Sequence, residues 1–225
     1  MDEINVNDDS LPEGVTFGWV NDPVAVEEVV SQLPYRTFAD TPAFAMSADE
    51  LPDNWYLWDF ARQVTGNLLP PANQGQVGSC VAFGTARAIE YTICAEIVNG
   101  QKEEYAKLVE EILYGGSRVE IGGGRLGYGD GSIGAWAASF VKKYGILDRK
   151  VYGKYDFTKY SESRCRDYGR YGVPNDIEPE VKKHPVKETV MVTTLEQARK
   201  ALFQGFAIAI CSGQGFSMRR DSNGI

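Results

Sequence analysis

Apolar residues recur at helical spacing in five stretches of the chain. Asp22-Pro23 supplies an N-cap and a proline at the first helical position. Val26, Val29, Val30 and Leu33 then follow one face, predicting an amphipathic helix over 23–33 that Pro34 ends. The strongest signal starts near Ser79. Ala82, Ala86, Ile89, Ile93 and Ile97 form one stripe, Phe83, Tyr91 and Cys94 broaden it, and Asn99-Gly100 stops it, so a largely buried central helix is expected. Further helices are predicted over 102–114, over 133–144 up to Tyr144-Gly145, and over 195–203 behind a Thr194 cap. Two strands are expected, Glu188–Thr193 from its alternation and Phe206–Cys211 from its unbroken apolar run. Residues 1–16 carry no pattern and read as disordered, and 34–50 reads as a connector. Nine glycines lie between 115 and 134, and 146–187 reads as loop-rich, with five tyrosines.

At 225 residues and 43% hydrophobic, the chain is long enough for a real core in one domain or two small lobes. No apolar run approaches the roughly 20 residues that span a bilayer, so no membrane partner is expected. The acidic, polar N-terminus shows no signal-peptide pattern. Cysteines at 80, 94, 165 and 211 are too scattered for a disulfide scaffold. With a single histidine and no CxxC pair, neither a metal nor a cofactor is expected. Charge changes the picture more. Residues 1–50 hold eleven acids and one base, Arg36, a net of −10 that leaves +2 for the rest of the chain's −8. That sign disfavours nucleic acid as a partner. It leaves two readings of the first 50 residues, a solubilising tail or a segment lying on the more basic body.

The chemistry concentrates in Asn73-Gln74-Gly75-Gln76-Val77-Gly78-Ser79-Cys80, which runs straight into the central helix. A cysteine nucleophile acts as a thiolate, and a helix N-terminus favours that anion through its unpaired N–H groups. Gly75 and Gly78 permit a tight turn that leaves the sulfur approachable. Gln74 supplies an uncharged amide which, with the Cys80 N–H, would form an oxyanion hole.

These residues resemble the nucleophile segment of papain-like cysteine peptidases, NQGxCGSCWAF. Leu51-Pro-Asp-Asn-Trp-Tyr-Leu-Trp-Asp is similar to that family's mature N-terminus. Gly129-Asp-Gly-Ser followed by Tyr144-Gly145-Ile146 resembles its CNGG segment and the helix ending YGI, and Gly205-Phe-Ala-Ile-Ala-Ile resembles its GPVxVAI strand. The resemblance covers about residues 51–225. It implies an α+β papain-like fold, with a helical lobe and a β-rich lobe that is incomplete at the C-terminus, behind an acidic 1–50 extension that is propeptide-like or a tail. It implies Cys80 as nucleophile and Gln74 as oxyanion donor. Gly78, Ser79, Gly131 and Ser132 are implied to bind a peptide or protein substrate.

Several positions depart from the pattern. Val77 and Gly129 stand where the family has two bridged cysteines, which suits a reducing, intracellular setting, bacterial or phage-encoded, possible in a virion. Val81 replaces the tryptophan after the nucleophile, and Ser132 the second glycine. The family's histidine and asparagine follow the GPVxVAI strand, and no matching residues precede Ile225. His184 lies before that strand, between Lys183 and Pro185, and reads as a surface turn residue. The expected activity is therefore peptide hydrolysis once a continuation or partner chain completes the β lobe and supplies the imidazole. The alternative is a catalytically dead papain-like module that binds within an assembly.

Three weaker signals are read as structural. Gly129-x-Gly131-x-x-Gly134 spells a dinucleotide fingerprint but follows no apolar strand. Arg118, Glu120 and Arg125 read as solvated loop charge, with substrate contact as the other option. The tyrosines at 144, 152, 155, 160, 168 and 171 read as packing for a long loop.

Overall fold

Asp22 accepts a hydrogen bond from the Ala25 N–H at 2.9 Å and so opens the first helix, α1, Pro23–Val30. The structure, a computed structural model, describes residues 18–46 and 51–212. The readings made for 1–16 and for the C-terminal end of the chain lie outside them. After α1 come the one-turn α2, Pro42–Ala45, then α3, Trp58–Thr65, and the long α4, Cys80–Val98. Next, α5, Glu110–Gly116, runs on into a wider turn over Ser117–Ile121, and α6 spans Gly134–Lys143. A two-strand antiparallel sheet pairs β1, Val151–Tyr152, with β2, Tyr155–Asp156, placing Val151 opposite Asp156 and Tyr152 opposite Tyr155. The chain continues with α7, Glu162–Tyr171, α8, Glu178–Val181, and α9, Leu195–Phe203. The described residues are thus helix-rich with one small sheet, an α+β composition in the general sense. None of their helices is long and apolar enough to cross a membrane.

The main core joins α4, α5, α6 and α7 around Ala82, Ala86, Ile112, Leu113, Tyr114, Phe140 and Phe157. A second cluster seats α1 on Ile133 and Trp136, and a third seats α3 on α4 through Ala61, Leu69 and Cys94. The central helix, α6 and α9 fall where the pattern places them, α9 with its Thr194 cap accepting from the Gln197 N–H at 3.2 Å.

Four expectations change. The helix expected over 102–114 begins only at Glu110. Leu108 and Val109 are instead buried as extended chain. The Leu108 N–H donates to the buried Glu90 carboxylate at 2.9 Å, and the Val109 N–H to the Leu147 carbonyl at 2.9 Å. Tertiary partners here override helical propensity. Glu188–Thr193 is no strand. It meets the connector at one point, where the Phe38 N–H donates to the Met191 carbonyl at 2.8 Å. Phe206–Cys211 forms no strand and joins no sheet among the described residues, and Ile210 is 84% exposed. An apolar run becomes a strand only beside an edge that takes up its N–H and C=O groups. Finally, 146–187 holds the hairpin and α7, which docks on α5 through glycines. A Cβ on Gly169 would lie 2.5 Å from the Tyr114 ring, and one on Gly115 would lie 2.7 Å from the Tyr168 Cβ. The tyrosines otherwise pack as read, with Tyr171 as the exposed member.

Candidate active site

Cys80 is the first residue of α4, with Ser79 as its N-cap. The loop leading to it is gripped by side chains along its main chain. The Tyr160 hydroxyl donates to the Gln74 carbonyl at 3.0 Å, and the Gln76 N–H donates to Glu162 at 3.1 Å. Arg166 donates to the Gln76 carbonyl. The Gly78 N–H donates to Asp130 Oδ2 at 2.9 Å. Gly75 has φ +62°, and a Cβ there would fall 1.9 Å from the Glu162 carboxylate and displace it, so the turn favours glycine. Gln74 is half-buried at the start of this loop. The Ser79 side chain is buried, its hydroxyl 3.4 Å from the Val77 carbonyl, so Ser79 offers the site only its main chain.

The second wall is the glycine loop. Arg118, expected as a solvated loop charge, is 2% exposed and donates to the carbonyls of Gly169 at 2.7 Å, Gly127 at 2.8 Å, Gly129 at 2.6 Å, and Gly131. The Gly131 N–H donates to the Tyr114 hydroxyl at 3.0 Å. The Ser132 side chain points inward and shares a hydrogen bond with the Ser117 hydroxyl at 2.8 Å. The Ser132 side chain therefore puts nothing in the way of a backbone lying along this edge. Glu120 is partly buried and accepts from the Val173 N–H at 2.8 Å; Arg125 alone of the three behaves as a surface charge, 3.1 Å from Glu28.

Between the two walls lies the chain's own N-terminal segment. The Ser132 N–H donates to the Gly18 carbonyl at 3.0 Å, the Val20 N–H donates to the Ser132 carbonyl at 2.9 Å, and Trp19 pairs with Ser132 in parallel register. On its other side Gly18 abuts the nucleophile loop, so that a Cβ there would lie 2.5 Å from the Gly78 carbonyl and 2.9 Å from the Cys80 nitrogen. The cleft is thus one extended backbone wide. Its walls carry Gly78, Ser79 and Cys80 on one side and Gly131 and Ser132 on the other, five of the six residues singled out in the sequence.

Cys80 as a residue is exposed, but packing around its sulfur raises the thiol pKa. Hydrogen bonds from the main-chain N–H groups of Gly18, Val81 and Cys80 itself oppose that rise. Cys211, which sequence reasoning placed only as a strand end, reaches the same region. Its sulfur would meet a Cβ on Gly134 at 2.5 Å, and its thiol pKa is raised by burial and then by the neighbouring charge of Cys80. His184 lies elsewhere. It is exposed, and its carbonyl accepts from the Ile146 N–H just past the C-terminal end of α6. The cleft borders the other end of that helix, about 15 Å away along ten residues. Among the described residues no cluster of His, Cys, Asp or Glu is placed to hold a metal ion.

All four cysteines are free. Burial pushes Cys94 up to about 11 and Cys165 up to about 12. Brief iodoacetamide treatment of the folded chain should therefore modify Cys80 first and Cys211 second, because only Cys80 has N–H groups supporting its thiolate. Cys94 and Cys165 should react only after unfolding. Peptide mapping showing Cys165 modified at a native-state rate equal to that of Cys80 would contradict the assignment.

No family model matches the chain, and searches of curated proteins and of solved structures find no match.

Proposed function

We propose that this chain is a papain-like cysteine peptidase whose cleft is closed by its own N-terminal segment. The observation that carries the reading is the seat of Gly18, an extended peptide paired to Ser132 on one side and pressed against Gly78 and Cys80 on the other. A substrate backbone in that seat lies against the sulfur. The Cys80 proton passes to an imidazole and the thiolate attacks the scissile carbonyl carbon. The resulting oxyanion takes hydrogen bonds from the Cys80 N–H and the Gln74 amide. Collapse breaks the C–N bond, the amine leaves with the imidazolium proton, and water then hydrolyses the thioester. In this reading the imidazole comes from outside the described residues, because His184 sits at the far end of α6. The free cysteines and the unbridged Val77 and Gly129 support a reducing, intracellular or virion setting.

The Gly18 N–H supports the Cys80 thiolate and the Gly18 carbonyl accepts from the Ser132 N–H, so the segment is held in the cleft by its main chain. The charge asymmetry contributes little to this docking. Its one described ion pair to the body, Glu28 with Arg125, is half-exposed on both sides, and such pairs are worth at most about 1 kcal/mol. Apolar contacts of α1 with Ile133 and Trp136 hold the segment instead.

One observation favours the second reading, a peptide-binding module without turnover: the sequence's one histidine, His184, lies at the far end of α6 from Cys80. A peptidyl epoxide separates the two. With the segment displaced, the peptidase reading expects covalent capture at Cys80, seen as a mass increment, and none in Cys80→Ala. Reversible peptide binding with no capture at any pH up to 10 would establish the binding module instead.

A further inference from the structure

We propose that Asp130 is a positioning residue of the Cys80 site, a carboxylate clamp fixing the nucleophile loop to the glycine loop where the resembled family has a disulfide. The inference rests on the peptidase reading for its consequence, though not for its geometry. Asp130 Oδ2 accepts from the Gly78 N–H at 2.9 Å, and Gly78 and Asp130 directly follow Val77 and Gly129, the two positions of the absent bridge. Arg166 stands 3.8 Å from the same oxygen and donates to the Gln76 carbonyl, joining the clamp to the grip that Glu162 and Tyr160 exert on the loop.

The position of this bond decides what it controls. One residue beyond Gly78 and Asp130 lie Ser79 and Gly131; two beyond lie Cys80 and Ser132. The clamp therefore sets the spacing between the sulfur and the edge that pairs an extended peptide. The rest of the glycine loop is anchored by Arg118 to carbonyls of its own loop and of α7. Asp130 is the side chain that crosses from this loop to the main chain of the nucleophile loop. A carboxylate accepting from a backbone N–H is a charge-assisted bond, stronger than a neutral one.

The test uses the full chain carrying Gly18→Ala, so that the cleft is free. Gly78 amide exchange is followed by NMR, and binding is followed with a peptide aldehyde, which forms a reversible thiohemiacetal at Cys80. Asp130→Ala should speed Gly78 exchange at least tenfold and weaken aldehyde binding at least tenfold. Alkylation of Cys80 by iodoacetamide, which needs no cleft, should stay within about twofold. Asp130→Asn, which keeps an oxygen facing the Gly78 N–H, should recover most of both losses. Val77→Cys with Gly129→Cys in the Asp130→Ala chain, oxidised to a disulfide, should recover aldehyde binding. A Cβ at Gly129 has space, its nearest neighbour being the Leu126 carbonyl at 3.8 Å. Unchanged Gly78 exchange in Asp130→Ala, or Asp130→Asn as impaired as Asp130→Ala, would overturn the clamp. If the parent chain binds no aldehyde while Gly78 exchange responds as expected, the clamp stands and the peptidase reading falls.

Discussion

Gly18→Ala should open the cleft and raise the rate of Cys80 alkylation at pH 7 by about tenfold or more. The added Cβ would lie 2.5 Å from both the carbon and the oxygen of the Gly78 carbonyl and 2.9 Å from the Cys80 nitrogen. None of these atoms can give way. Gly78 is held through its N–H by Asp130, and Cys80 is built into α4. The effect is steric, a Cβ overlapping backbone on the facing loop. Two hydrogen bonds to Ser132 hold this stretch of the segment, at roughly 1 kcal/mol net each, less than the cost of a Cβ overlapping backbone. The segment should therefore leave the cleft while α1 stays on Ile133 and Trp136. Two effects on the sulfur then oppose one another. Loss of the Gly18 N–H bond raises the thiol pKa, and restored hydration lowers it. Burial is the larger cause of the present shift, so the net change is downward. Each unit of pKa is about a tenfold change in thiolate below the midpoint. The alkylation–pH curve should move to lower pH and also rise, since access improves. Val24→Ala, at a residue 70% exposed on α1, should change neither. A Gly18→Ala chain that reacts no faster than the parent at any pH would show that the segment does not close the site.

The nucleophile end of this site was legible in the sequence, and the occupant of the cleft was not. Cys80 at a helix start is visible because apolar periodicity defines α4, and glycines with an amide precede it. Gly131 and Ser132 were reachable only through resemblance to a known segment. Nothing in their own pattern shows that the Ser132 side chain turns inward to Ser117. The acidity of residues 1–50 suggested docking on the body, yet beside the half-exposed pair of Glu28 with Arg125 the contact is made by Gly18, Val20, Val26 and Val29, which are uncharged. Helix α7 was missed for a definite reason. Its face toward α5 is built from Cys165, Tyr168 and Gly169, and at Gly169 and at Gly115 of α5 close approach of the helices replaces the regular apolar stripe on which periodicity depends. The mistaken helix over 102–109 is the converse, a sequence with good local propensity drawn out by partners far away, Glu90 and Leu147. Strand 206–211 fails because apolar composition says nothing about whether an edge is present to receive it.

Arg118 was misjudged most, and its removal should cost the most stability. Charge between glycines reads as a solvated loop, because sequence does not reveal that the carbonyls of Gly127, Gly129, Gly131 and Gly169 converge on one point. The planar guanidinium meets all four, and its face lies 5.2 Å from the Tyr114 ring centroid. Hydrogen bonds to a charged group contribute about 1.5–3 kcal/mol each, and an orphaned buried carbonyl costs about 1–3 kcal/mol. The terms overlap, so Arg118→Ala should lower the unfolding free energy by on the order of 4 kcal/mol, at the upper end for single substitutions. Arg118→Lys keeps the charge but loses the planar fork, and a lysine ammonium cannot address four carbonyls spread around a guanidinium. It should recover less than half of the loss. Urea unfolding of the full chain measures both. A second readout separates the loop from the core. In Arg118→Lys at 10 °C, while the chain is still folded, Gly131 and Ser132 amides should exchange faster, and α4 amides such as Ala86 should not. A loss below about 1 kcal/mol for Arg118→Ala would mean that the glycine loop holds its shape without the guanidinium. The edge that receives the peptide would then depend on Tyr114 and Ser117 alone.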